Sequence, residues 1–151
     1  MAVGRNCSTK YGAGDEARET RMNDGEIVSL KREHDYVGPN GSQIRLLVSG
    51  ALGGLAHCEL PPGKSSGAVT HRSVEELWYV LEGSGEIWRA APDQERGEVH
   101  ALRAGDSLRI RPNTTFQFRT TGDRPLKLLI ATMPPWPAPD ETVRVPIDVF
   151  G

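Results

Sequence analysis

The chain has 151 residues, 37% of them hydrophobic and 25% charged, enough for one domain with a buried core of its own. Its 18 Lys and Arg against 20 Asp and Glu leave a formal charge of -2, so no electrostatic pull toward nucleic acid or an anionic membrane surface is expected. No apolar run approaches the roughly 18 residues that cross a bilayer, and MAVGRNCSTKYGAGDEARET lacks the apolar stretch of a secretory signal. Cys7 and Cys58 have neither metal-type nor redox-type spacing, so the reading expects a reduced, cytoplasmic protein without a structural disulfide.

Residues 1–24 are rich in Gly, Asp, Glu, Arg and Thr and nearly free of aliphatic side chains. They cannot bury enough surface to offset their ordering entropy, which predicts a loose arm ordered at most by a partner. The structured domain is expected over 25–151. GEIVSLKREHDYV should supply one or two short strands, GPNGS is a turn by composition, and SQIRLLVSG alternates as a strand does. Short strands then recur between turn signals: LAHCEL, AVTHR, ELWYVL, GEIWRA, EVHAL, SLRI, TTFQFR and LKLLIATM. ELWYVL and GEIWRA, joined by EGSG, are predicted as a hairpin. In LKLLIA, Leu126, Leu128 and Ile130 share one face, as in a strand buried on one side. No three-turn helix is visible, and PPWPAPDETV is too proline-rich to form one before Pro139. The expectation is an all-β, two-sheet antiparallel jelly roll.

The stretch from Gly63 to Gly83 carries the chemistry. Five residues separate Gly63 from Val69, one separates Val69 from His71, four separate His71 from Glu76, and six separate Glu76 from Gly83. This spacing resembles the first signature of the cupin superfamily, G-x5-H-x-H-x3-4-E-x6-G, with Val69 where the first His stands. RAGDSLRIRPNTTFQFRT resembles the second signature, G-x5-P-x-G-x2-H-x3-N, over residues 105–120. There Gly105 and Asp106 are kept, while Arg111, Asn113, Phe116 and Thr120 replace Pro, Gly, His and Asn. Asn113 tolerates positive φ well enough to keep the turn. The resemblance spans about residues 42–133 and includes HRSVEELWYVLEGSGEIW and TMPPWP. It implies a double-stranded antiparallel β-helix, or jelly-roll barrel, that commonly pairs as a homodimer.

The resemblance also implies a metal held by about three His and one carboxylate. Here His71 and Glu76 remain, and Gln117 would join them if the second turn slips by one residue. These three are the candidate catalytic groups and the candidate ligands of a divalent ion. The cofactor expectation is therefore none, or a weakly bound Zn, Fe, Ni or Mn. His71 has a plainer reading as a hydrogen-bonded interior histidine. With one residue fewer before the glutamate, Thr70 and Arg72 would face inward and an anionic ligand would suit the mouth.

Trp78, Phe116, His57 and Arg72 are the candidate ligand-binding residues. Trp78 shares the parity of Glu76 and could floor a pocket, with a core or cross-strand aromatic as its bland alternative. His57 is balanced between pocket lining and surface. His34 and His100 sit among charges and are expected in solvent. Trp136 is read as a strap residue packed outside the barrel or on a second subunit. Three functions stay open: a small-molecule enzyme of isomerase, cyclase or dehydratase type using His71 and Glu76, a metal-dependent cupin resembling dioxygenases, and a non-catalytic binding module.

Overall fold

A computed structural model describes residues 26–151, so the predicted arm over 1–24 and Cys7 lie outside the described residues. Among the described residues eleven strands follow in chain order. They are β1 (Tyr36–Val37), β2 (Gln43–Ser49), β3 (Gly54–Leu60), β4 (Val69–His71), β5 (Glu75–Glu82) and β6 (Ser84–Ala90). β7 (Glu98–Arg103), β8 (Ser107–Ile110), β9 (Thr115–Thr120), β10 (Leu126–Met133) and β11 (Thr142–Arg144) complete the set. The helical content of the described residues is one 3₁₀ turn, Pro139–Glu141, which starts at the proline after which the sequence first allows it. No described helix is long and apolar enough to cross a membrane.

The strands form two antiparallel sheets, ordered β1-β2-β3-β10-β5-β8 and β11-β4-β9-β6-β7. β10 lies inside the larger sheet between β3 and β5, and its burial alternates strictly along all eight residues. Leu126, Leu128 and Ile130 point inward, as their spacing predicts. Facing them from the smaller sheet are Val69, Ile87, Phe116 and Phe118, so apolar side chains of both sheets interdigitate in one core. Each such fully buried side chain contributes about 1.5–3 kcal/mol from area removed from water.

The predicted β5–β6 hairpin does not form. β5 belongs to the larger sheet, whereas β6 pairs with β7 and β9 in the smaller one. Gly83 is therefore a corner between sheets. Its φ is +81°, and a Cβ there would stand 2.3 Å from the Pro125 carbonyl oxygen, so only glycine lets the chain turn this tightly. At the β8–β9 corner the same backbone region is taken by Asn113 with φ 61°, the residue expected to tolerate it. Because successive strands switch sheets at such corners, residues close in sequence face each other across the barrel.

Candidate functional site

His71 ends β4 in the smaller sheet and Glu76 is the second residue of β5 in the larger one. The chain crosses between the sheets at residues 72–74, so the two side chains approach from opposite walls. His71 Nε2 lies 3.3 Å from Glu76 Oε1, and both side chains are 7% exposed. The other carboxylate oxygen, Oε2, accepts a 2.7 Å hydrogen bond from the indole Nε1–H of Trp78, two residues along the same inward face. β11 pairs with β4 and sets Thr142 opposite His71, leaving Thr142 Oγ1 3.1 Å from His71 Nδ1. Every polar atom of the His–Glu pair thus has a partner in buried surroundings, where an unpaired one would be costly.

Aromatic rings frame this group edge to face. The His71 ring meets Phe116 at 5.3 Å and Trp136 at 5.0 Å, and Trp78 meets Phe116 at 5.5 Å and Phe118 at 5.1 Å between centroids. Together with Ile44, Leu46 and Cys58 of the larger sheet they line a partly open cavity of about 130 Å³ between the sheets. The Cys58 thiol, 2% exposed, is pushed up to about 12 by burial.

Several candidate residues stand elsewhere. Gln117 lies between Phe116 and Phe118, which both face the cavity, so strand alternation turns it to the outer face of the smaller sheet. There it donates to the Ser66 carbonyl (2.8 Å) and Asp148 Oδ1 (2.9 Å), and its own oxygen accepts from Val149 N–H (2.8 Å). It ties residues 148 and 149 to the barrel and does not join His71 and Glu76. His57 is displaced by the same alternation, because its neighbours Ala56 and Cys58 line the cavity. It is nonetheless 4% exposed, beside Arg45, and its Nδ1 has no partner among the described residues. Burial, then the Arg45 charge, holds its pKa below the ordinary histidine value. Arg72 is exposed at the β4–β5 turn and donates through Nε to the Asp140 carbonyl at 3.0 Å, outside the cavity. His34 and His100 are exposed, as expected.

Two members of the site escaped the sequence reading. Trp136 packs inward on His71, not on the outside of the barrel. Thr142 reaches His71 only because β11 returns beside β4 after the proline-rich segment. The segment is held by Glu141, 5% exposed, whose carboxylate accepts from the Ser73 amide, the Ser73 hydroxyl (2.9 Å) and the Val74 amide (2.6 Å). Burial pushes the Glu141 pKa up, but these hydrogen bonds and the nearby His71 outweigh it and hold it below the usual carboxylate value. No motif marks Glu141 in advance; a glutamate after Pro-Asp reads as a solvated turn.

The cavity offers a metal one imidazole and one carboxylate. Val69 and Phe116, at the remaining positions where the cupin signatures place histidines, present only hydrocarbon, and Gln117 faces outward. Among the described residues no three His, Cys, Asp or Glu side chains converge as a metal-holding group. The donor set does not fit the family's divalent ion.

The chain matches the family described as "Cupin domain" over residues 56–132, half of its length. It is 32% identical over 123 residues to the uncharacterized protein MJ1618 of Methanocaldococcus jannaschii, covering 76% of this chain and 94% of that protein. Among solved structures, an uncharacterized conserved protein with a double-stranded beta-helix domain from Klebsiella pneumoniae aligns with a TM-score of 0.61 at 14% identity, over 82% of this chain and 100% of that one. The capsular polysaccharide assembling protein CapF of Staphylococcus aureus aligns at 0.64 and 16% identity, over 82% of this chain. The oxalate decarboxylase of Lactobacillus farciminis, solved as a formate complex, aligns at 0.62 and 19% identity, over 77% of this chain. This chain spans 33% of the length of each of those two larger proteins. An oxalate decarboxylase of Bacillus subtilis, aligned at 0.63 and 18% identity over 76% of this chain and 30% of that one, is described with Mn(II) centers. Signature spacing, two-sheet topology and family match agree: the chain belongs to the cupin superfamily.

Proposed function

We propose that the barrel binds a small organic molecule and that His71 and Glu76 exchange a proton with it, as an isomerase, cyclase or dehydratase requires. The observation that carries this reading is the 3.3 Å approach of His71 Nε2 to Glu76 Oε1 inside an aromatic-walled cavity. As imidazolium the ring donates Nδ1–H to the Thr142 hydroxyl and shares its Nε2 proton with Glu76 Oε1. Passing the Nε2 proton to the ligand leaves a neutral ring whose Nδ1–H is still held by Thr142, and the reverse transfer restores it. The proton thus moves at the nitrogen beside Glu76, as a general acid or base needs. Trp78 fixes the carboxylate by its hydrogen bond to Oε2, so Oε1 is the oxygen directed at the proton being moved.

This chemistry uses no Lewis acid, in keeping with the two-donor set facing the cavity. The test is a pair of variants, His71→Gln and Glu76→Gln, assayed for binding and for turnover on candidate substrates. Loss of turnover by at least about a hundredfold in both, with folding retained, is expected from removal of a general acid or base. Binding without turnover in the unaltered protein would make the barrel a binding module. One equivalent of divalent metal in protein purified without chelator, lost in His71→Gln, would refute the proposal in favour of metal chemistry.

A further inference from the structure

Among the described residues the cavity wall contains no Lys and no Arg. Guanidinium groups near the site lie outside the cavity: Arg72 on the Asp140 carbonyl, Arg109 near Glu75 (3.9 Å), Arg111 on Asp93 (2.7 Å), and Arg144 exposed at the end of β11. Arg45, from a strand that lines the cavity, turns to the outer face and pairs with Glu59 at 3.0 Å. Inside the wall the ionisable acid is Glu76, beside His71. An entering carboxylate or phosphate would shed its water next to that acid with no cation to compensate.

Several other polar wall atoms have partners of their own. Ser42 Oγ donates to Asn40 Oδ1 at 2.6 Å, and Thr132 Oγ1 donates to the Gly54 carbonyl at 3.4 Å. A carboxylate oxygen accepts more than one hydrogen bond, so Glu76 Oε1, beside His71 Nε2, can still receive a polar group of a ligand. The remainder of the wall is mostly hydrocarbon and aromatic, and the cavity volume is about 130 Å³. An apolar cavity of about 150 Å³ accommodates benzene, which sets the scale.

Resting on the function proposed above, we infer that the barrel selects a compact molecule without negative charge: an apolar body of about six to eight heavy atoms with one hydroxyl or carbonyl directed at His71 and Glu76. Selection against anions comes from the missing cation and from Glu76. Size is set by the distance between the sheets, which Trp78, Phe116 and Phe118 span.

Two probes that share a ring test this on the full chain: benzyl alcohol and benzoate, each titrated at millimolar concentrations. The readouts are the nuclear magnetic resonance signals of the Trp78 indole N–H and the His71 ring. Benzyl alcohol should shift both, and benzoate should bind at least about a hundredfold more weakly. Glu76→Gln removes the charge and keeps an acceptor for Trp78, so it should narrow that gap at least tenfold. Benzoate binding as tightly as benzyl alcohol, with the same signals moving, would overturn the charge selection and leave the barrel a ligand site. An unchanged gap in Glu76→Gln would overturn the role of its charge. If neither probe moves the two signals, the ligand-binding reading falls and this inference falls with it.

Discussion

Replacing Glu141 tests how the proline-rich segment is held over His71. The carboxylate accepts three hydrogen bonds, from the Ser73 amide and hydroxyl and the Val74 amide, and Val74 is fully buried. Hydrogen bonds to a charged group are worth about 1.5–3 kcal/mol each, but Ser73 is exposed and water can replace its two. The Val74 amide has no such recourse. Glu141→Ala should therefore cost about 3 kcal/mol, the unpaired amide and lost packing included. At about 2–4 °C per kcal/mol for a chain of this size, Tm should fall by about 6–12 °C. Glu141→Gln keeps one carbonyl acceptor and should lose about half as much.

Urea unfolding at neutral pH measures this, with an unchanged m-value showing that only stability moved. The pH dependence supplies a second check. The folded pKa of Glu141 lies below its ordinary value, so its contribution is complete above about 4.3 and fades as pH falls through the folded value. The stability difference between the unaltered protein and Glu141→Gln should stay constant from pH 7 to about 5 and shrink below about 4.3. Because Trp136 and Thr142 flank the anchor, the His71 ring signals should move as well. A loss under about 1 kcal/mol, or a difference that ignores pH down to 3, would refute the anchoring role.

Two further outcomes are expected. Cys58, its thiol pushed up to about 12 by burial, should resist iodoacetamide at pH 8 in the folded protein and react once urea unfolds it, as mapped by mass spectrometry. Rapid labelling of folded protein would mean that the larger sheet opens readily. The expected homodimer should pair through the outer face of that sheet, where Leu77, Tyr79 and Leu81 are 42%, 47% and 40% exposed. Sedimentation should then show a dimer that Leu77→Glu with Tyr79→Glu dissociates, and a monomer at every concentration would refute it.

The strands were legible because alternation and turn residues are local signals. SLRI and LKLLIATM match β8 and β10 residue for residue, and the inward face of β10 follows from period two. The spacing from Gly63 to Gly83 likewise identified His71 and Glu76, since the crossing at 72–74 is encoded within a few residues. Asn113 announced its own turn. Sequence alone could not say which sheet each strand joins. EGSG looks the same whether it closes a hairpin or turns a corner, and the packing of Pro125 against Gly83, which leaves no room for a Cβ, is a long-range fact. The fate of Gln117 was undecided for a related reason: a one-residue slip exchanges faces, and only the pairing of Val69 with Phe116 settles it. Trp136, Glu141 and Thr142 came from tertiary structure entirely. A proline-rich segment has no period from which to read a face, and its inward side is defined by the β11–β4 pairing, which joins residues 71 and 142.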